Sequence, residues 1–160
     1  MPRELLAPAL ALLVLTAGCS ALSGTAAEVT VENEDSTAYT MTVYVIDESV
    51  GAGNVTFRAT NETGSRKTIE AVRLETEGPY YDVTLADGWD ATAYERQIPA
   101  NGTTTASFEA WESSDHVVYL FETPDGRLVR DDYAECRRDT IEHTFVFSDG
   151  PENGMEMDCR

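Results

Sequence analysis

The stretch AYTMTVYVI, residues 38–46, alternates between two kinds of side chain. In an extended chain, successive side chains point to opposite faces, and the larger apolar ones here share a face: Tyr39, Met41, Val43 and Val45. The other face carries Thr40, Thr42 and Tyr44. This period of two predicts a half-buried β-strand.

Further segments have the same character, since each is rich in β-branched and aromatic residues and is bounded by turn-forming residues such as Ala86-Asp87-Gly88 and Pro124-Asp125-Gly126. The additional predicted strands are VTVEN from Val29, VTFRA from Val55, YYDVTL from Tyr80, TASFEAW from Thr105, HVVYLFE from His116 and IEHTFVF from Ile141. No long stretch repeats with the helical period of 3.6.

The segment RKTIEAVRLE, residues 66–75, fits two structures. Ile69 and Val72 would share a helical face, whereas Val72 and Leu74 would share a strand face. We predict a strand here. Roughly eight to ten short strands, spaced about ten residues apart, then predict an all-β, antiparallel Ig-like or Greek-key sandwich, because a lone sheet would leave one apolar face in water.

The charge is strongly one-sided. The 160 residues include 29 Asp and Glu against 11 Lys and Arg, with a net charge of -18 and a single lysine, Lys67. Such a surface repels nucleic-acid phosphates and anionic lipid headgroups, so nucleic acid is excluded as a partner. The acidic excess resembles that of proteins from extreme halophiles, in which molar salt shortens the screening length to roughly 3 Å.

The N-terminal residues predict an export signal. Met1 to Arg3 form a short basic start, and the apolar run of residues 5–17 is too short to span a hydrocarbon core of about 30 Å. Leu15-Thr16-Ala17-Gly18-Cys19 resembles the lipobox of prokaryotic lipoproteins, in which the cysteine thiol receives the lipid, although Thr16 stands where Leu is commonest. An ordinary secretory signal ending at Gly18 is the alternative.

This reading divides the chain into three parts. Residues 1–18 are a lipoprotein signal peptide, residues 19–27 are a lipidated flexible tether, and residues 28–160 are one β-sandwich domain. Two lipid chains on Cys19 would hold the protein durably on the outer face of the cell membrane.

The order of features supports a resemblance that covers roughly residues 28–135. VTVENEDSTAYTMTVYV is followed by an apolar strand, by GPYYDVTLADG and by PDGRLV. This order resembles the small Ig-like β-sandwich ectodomains of haloarchaeal lipobox lipoproteins. The resemblance implies a fold and a location, and it implies no reaction.

Cys136 and Cys159 are the two cysteines that remain after Cys19. In an exported protein such a pair most economically forms a disulfide. The alternative is a cupredoxin-like copper electron carrier, with ligands drawn from Cys136, His143, Met155 and Met157, and with His116 upstream. Blue-copper sites need two His and one Cys in a plane with a distant Met, and blue absorbance on adding Cu(II) would distinguish this alternative.

Three sequons, beginning at Asn54, Asn61 and Asn101, predict N-glycosylation and therefore an external location. Asn101 is the best candidate because it falls in a predicted turn.

Signs of catalysis are missing, since the sequence holds no G-x-S-x-G elbow, no H-E-x-x-H and no P-loop. The acidic turns Asp87-Gly-Trp-Asp90 and Asp149-Gly-Pro-Glu152 lack the ligand spacing of an EF-hand loop. Trp89, Trp111 and Tyr94 are candidates for a ligand surface.

We therefore expect a membrane-anchored binding or structural module with no catalysis, no cofactor and no resident metal. Its partner would be a surface protein or a glycan. The alternative role is that of an accessory or sensor subunit of a membrane complex.

Salt is expected to stabilise the exported domain. Exposed like charges about 4 Å apart repel by about 1 kcal/mol in water before screening, and many such pairs rival a total stability of roughly 5–15 kcal/mol. Raising KCl from 0.1 M to 2 M should raise the melting temperature by many degrees, as measured by circular dichroism. A melting temperature that stays flat or falls over this range would show that surface repulsion does not limit stability.

Overall fold

The computed structural model describes residues 26–47, 54–108, 115–135, 140–148 and 154–159. Within these ranges the chain forms eleven strands and one short helical segment. The strands are β1 Ala26–Asn33, β2 Tyr39–Ile46, β3 Thr56–Asn61, β4 Arg66–Glu70, β5 Tyr80–Leu85, β6 Ala91–Ile98, β7 Gly102–Phe108, β8 His116–Glu122, β9 Leu128–Glu135, β10 Thr140–Phe147 and β11 Gly154–Cys159. Between β4 and β5 lie a 3-10 turn, Ala71–Arg73, and the one-turn helix α1, Leu74–Glu77.

The strands form three sheets. The lateral sheet has the order β11-β10-β1-β7, the central sheet β6-β2-β8-β9, and the small sheet β4-β3-β5. β1 runs parallel to β10, and the other pairings in these sheets are antiparallel. The prediction of an all-β sandwich is thus confirmed, with the small sheet as an additional layer.

The larger hydrophobic core lies between the lateral and central sheets. The apolar face of β2 predicted from its alternation, at positions 39, 41, 43 and 45, belongs to this core. The lateral sheet contributes Val29, Val31 and Phe145 from the middle of β1 and β10. The residues of β8 that face this core are Val117, Tyr119 and Phe121.

A second core lies between the central and small sheets. It receives Val118 and Leu120 from the opposite face of β8. The small sheet contributes Phe57 from β3, and α1 contributes Leu74. β8 is therefore buried on both faces, which explains why its apolar residues run continuously.

The strand predicted for residues 66–75 is wrong beyond Glu70. The strand ends at Glu70, and a helical turn follows. Ala71 and Leu74, three residues apart, are both buried in the second core, whereas Val72 is 50% exposed. The helical turn is favoured because it places both buried residues on one face.

Two edge strands of the central sheet, β6 and β9, were not predicted from the alternation of side chains. Most of β6 is exposed or half-buried, so it offers no apolar alternation to detect. Ala26 and Ala27, predicted to belong to the tether, are the first two residues of β1. Among the described residues, no helix is long and apolar enough to cross a membrane.

Shortening a buried side chain of β8 should lower the free energy of unfolding. Leu120 is fully buried, and Leu120→Ala is expected to lower the free energy of unfolding by about 2–5 kcal/mol, because it removes apolar contacts and leaves a cavity. Val129→Ala, at a 41% exposed position of β9, should change it by less than about 0.5 kcal/mol. Urea titration in 2 M KCl measures both. Equal losses in the two variants would contradict the second core.

Candidate functional site

The strand register defines two ends of the sandwich. At one end, here called the base, Ala26 lies opposite Thr140, and the neighbouring Ala27 lies opposite Phe108. At the other end, the tip, Asn33 lies opposite both Gly102 and Phe147. The loops of residues 34–38, 99–101 and 123–127 join strands at the tip. Loops at the end of a rigid sandwich are where binding residues concentrate.

Asn33 organises the tip. Its side chain is 2% exposed, and its Nδ2 donates hydrogen bonds to the carbonyl oxygens of Thr37 and Pro99, each at 2.9 Å. Its Oδ1 accepts a 3.0 Å hydrogen bond from the backbone N–H of Asp35. One buried amide therefore ties the loop of residues 34–38 to the turn of residues 99–101.

Asp35 extends this network. Its carboxylate accepts a 2.6 Å hydrogen bond from the hydroxyl of Tyr39, and its carbonyl accepts a 2.9 Å hydrogen bond from the N–H of Asn101. Glu34 donates its N–H to the carbonyl of Phe147. A loop fixed in this way is ordered before it meets a partner, which lowers the entropic cost of binding.

The turn of residues 99–101 has strict backbone requirements. Asn101 has a φ of 50°, in the left-handed region that asparagine tolerates. A Cβ at Gly102 would lie 2.7 Å from the Cγ of Pro99, so only glycine fits there. Beside this turn lies an open, polar cavity of about 310 Å³, lined by Glu32, Asn33, Glu34, Asn101, Gly102 and Thr103.

Asn33 was not among the residues predicted to have a role. The run Asn33-Glu34-Asp35 does indicate its local hydrogen bond, because asparagine often accepts a hydrogen bond from the backbone N–H two residues ahead. Its long-range bond to Pro99, 66 residues away, has no counterpart in the local pattern.

Two of the three sequons lie toward the tip. Asn101 is exposed. Asn61 ends β3 opposite Tyr80, and its Oδ1 accepts hydrogen bonds from Thr63 and Ser65. Asn54 is exposed just before β3, toward the base.

The two histidines of the copper alternative lie on opposite sides of the central sheet, and Cys136 lies outside the described residues. His143, on β10, is 1% exposed and lies in the larger core, where its Nδ1 is 2.7 Å from the hydroxyl of Tyr119. His116 precedes Val117 on β8, so by strand alternation it lies on the opposite face of the central sheet. Met157 lies opposite His143 in register, and Met155 packs against the larger core.

The buried Tyr119–His143 pair has shifted protonation equilibria. Burial lowers the pKa of His143 to about 4. Burial and, to a smaller extent, the Asp132 carboxylate raise the pKa of the Tyr119 hydroxyl. Both side chains are therefore neutral at pH 7. Neither reaches the surface, so the pair has no access to a substrate.

The candidate aromatic surface is also divided. Trp89 packs against the second core and donates its indole N–H to the Thr56 hydroxyl at 3.1 Å. Tyr94 packs against the larger core, with its ring 4.9 Å from that of Phe108. These two aromatics lie on opposite sides of the central sheet, and Trp111 lies outside the described residues.

The acidic turn at Asp87 and Asp90 borders an open cavity that Asp47 also lines. Asp87 forms an ion pair with Arg58. In the described ranges, no group of three or more His, Cys, Asp or Glu residues is placed to hold a metal ion. The second acidic turn, at residues 149–152, lies outside those ranges.

The cysteine sites are covered only in part. Cys19 and Cys136 lie outside the described residues. Cys159 ends β11, where its backbone lies opposite Ile141 at the base.

Comparison with known proteins gives one informative match. The whole chain, residues 1–160, matches the model of a family described as halobacterial Ig domain protein. No curated protein matches the sequence. A solved structure titled "Trapped Toxin" aligns with 86% of this chain and 24% of its own length, at 10% identity and a TM-score of 0.35. A similarity at that level says nothing about function.

Removal of the Asn33 amide should loosen the tip. Asn33→Ala is expected to lower the free energy of unfolding by about 2–4 kcal/mol, because three hydrogen bonds are lost and buried groups lose their partner. Asn54→Ala, at an exposed asparagine, is the control and should change it by less than about 0.5 kcal/mol. Chemical denaturation measures both. If the two variants were equally stable, Asn33 would not organise the tip.

Proposed function

Because the chain belongs to the halobacterial Ig domain protein family, we propose that it is a lipoprotein held by Cys19 on the outer face of the cell membrane. An Ig-like domain is a binding or structural module. We further propose that this one acts without catalysis and presents its tip to a partner.

The observation that carries this proposal is the direction of β1. The strand begins at Ala26, seven positions after Cys19, and seven residues span at most about 25 Å. An anchor at Cys19 would therefore hold the base near the membrane. β1 then runs for eight residues to Asn33, which carries the chain roughly 25 Å toward the tip.

The tip has features suited to display. Its loops are fixed by Asn33 and Asp35 before any partner binds, and the exposed Asn101 offers an acceptor for a glycan. We propose that Asn101 and Asn61 carry glycans toward the free end, and Asn54 toward the base. The partner is then a surface protein or a glycan that approaches from outside.

The base has features suited to covalent bracing. β9 ends at Glu135, the residue before Cys136, and Glu135 lies opposite His116 at the start of β8. Cys159 lies opposite Ile141, near the start of β10. β9, whose last residue precedes Cys136 in the sequence, and β11, which ends at Cys159, thus both end at the base, and this supports a disulfide between Cys136 and Cys159.

The acidic surface supports a site of action in strong salt. With a net charge of -18, the folded chain is best screened where the Debye length is a few ångströms. Nucleic acid and anionic headgroups would be repelled, so the lipid rather than the protein surface would hold the molecule at the membrane.

The anchor is tested at Cys19. Cys19→Ser removes the thiol that would carry the lipid, so the protein should leave the membrane fraction for the medium, or accumulate as an unprocessed precursor. Ser20→Ala is the matched control and should stay with the membrane. Immunoblots of the two fractions, with mass measurement of the mature N-terminus, give the result. A serine variant that is cleaved after Gly18 and still fractionates with membranes would refute the lipid anchor.

A further inference from the structure

We propose that the buried Tyr119–His143 pair is an acid-sensitive latch between the lateral and central sheets, and that protonation of His143 releases the lateral sheet. The latch does not depend on the lipid anchor, because the Tyr119–His143 contact lies inside the sandwich and has no part in the proposed binding role.

The pair joins two layers of the fold. Tyr119 lies on β8 of the central sheet and His143 on β10 of the lateral sheet. Tyr119 is fully buried and His143 is 1% exposed. The Nδ1 of His143 is 2.7 Å from the hydroxyl of Tyr119, and the two rings meet edge to face with centroids 5.2 Å apart.

Protonation of His143 would create a second N–H donor for which the described residues offer no acceptor. The Nε2 of His143 is buried, and among the described residues it has no hydrogen-bonding partner. In neutral histidine one ring nitrogen carries the proton and the other accepts, whereas in the charged form both nitrogens donate. Tyr119 offers one oxygen to Nδ1, so a charged ring would leave the second N–H unsatisfied in an apolar core.

Among the described residues, the elements around His143 supply no counter-ion in contact with it. In register, β1 places Val29 and β11 places Met157 opposite His143. Alternation directs the acidic residues of these three strands to the outer face of the lateral sheet: Glu28, Glu32, Glu142, Glu156 and Asp158.

Two charged residues of β9, Asp132 and Arg130, form an ion pair with each other. Asp132 on β9 lies opposite Tyr119, and its carboxylate accepts a 2.5 Å hydrogen bond from the Nε of Arg130. The Arg130 guanidinium lies over the ring of Phe145, 5.3 Å from its centroid. Protonation of His143 is therefore opposed by burial and is not repaid by a partner.

The direction of the pH effect follows from linkage. Burial lowers the pKa of His143 in the folded chain to about 4, from an ordinary value of 6.5. The unfolded chain thus binds the proton first, and the folded state loses stability as the pH falls below about 6.5. The loss is about 150-fold in the unfolding equilibrium at the folded pKa and approaches about 300-fold below it.

Two effects oppose this loss in the wild type. Acid neutralises surface carboxylates and relieves their repulsion, which 2 M KCl largely screens. Burial also raises the pKa of Glu122, so protonation of that carboxyl stabilises the folded chain as the pH falls. The effect of His143 therefore has to be measured as a difference between variants that share both contributions.

The experiment compares the purified full chain with His143→Gln and with His116→Gln as the matched control. Urea unfolding in 2 M KCl, at pH 7.5 and at pH 4, gives the unfolding equilibrium of each. Between these pH values the wild type and His116→Gln should lose about 150-fold relative to His143→Gln. Parallel pH dependence in all three proteins would overturn the proposal.

Amide hydrogen exchange tests the release itself. At pH 4.5 in 2 M KCl, amides of Val29 and Phe145 in the lateral sheet should lose protection in the wild type, while those of Phe57 and Val83 in the small sheet keep it. Equal loss in both sheets would show concerted unfolding and would overturn the latch.

A direct titration covers the case in which His143→Gln does not fold. Exchange of the imidazole C2 hydrogen of His143, followed by mass spectrometry of the wild type, reports its pKa. A midpoint near 4 supports the latch, and a midpoint of 6 or above overturns it.

Discussion

Strand β8 is buried on both faces, because the lateral sheet packs against Tyr119 and Phe121 while the small sheet packs against Val118 and Leu120. Each of the other layers depends on this strand for its core. The central sheet buries both of its apolar faces, so the domain contains two hydrophobic cores. Because β8 pairs directly with β2 and β9, it also sets the register of these two strands.

The same packing separates polar chemistry from the surface. The Nδ1 of His143 and the hydroxyl of Tyr119 form a hydrogen bond inside the larger core, and Arg130 joins β9 to the lateral sheet by lying over the rings of Phe145 and Phe147. Polar groups in these positions specify how two sheets pack, because a shifted arrangement would leave them without partners. They do not form a reactive site, since substrate cannot reach them.

The tip and the base differ in how they are held. Hydrogen bonds from Asn33 and Asp35 fix the loops at the tip, whereas the base is the end at which β1 enters the fold and to which Cys159 returns. If the proposed lipid holds the base, the loops at the free end are already ordered for binding. The acidic surface adds solubility in strong salt and leaves recognition to short-range contacts.

The sequence by itself determined the strands whose side chains alternate, including β2 and β10, because the faces of a strand are set by a local period of two. It also determined the acidic surface and the sequons, which depend on composition or on a few adjacent residues, whereas the export signal stays a prediction. The edge strand β6 was missed because its exposed residues need no apolar pattern. The helical turn at Ala71 was missed because burial of Ala71 and Leu74 outweighed the local preference for a strand. Only the tertiary structure decided that Asn33 reaches Pro99 and that His143 meets Tyr119. Those contacts join residues far apart in the chain, and sheet register and layer packing, rather than any local pattern, bring them together.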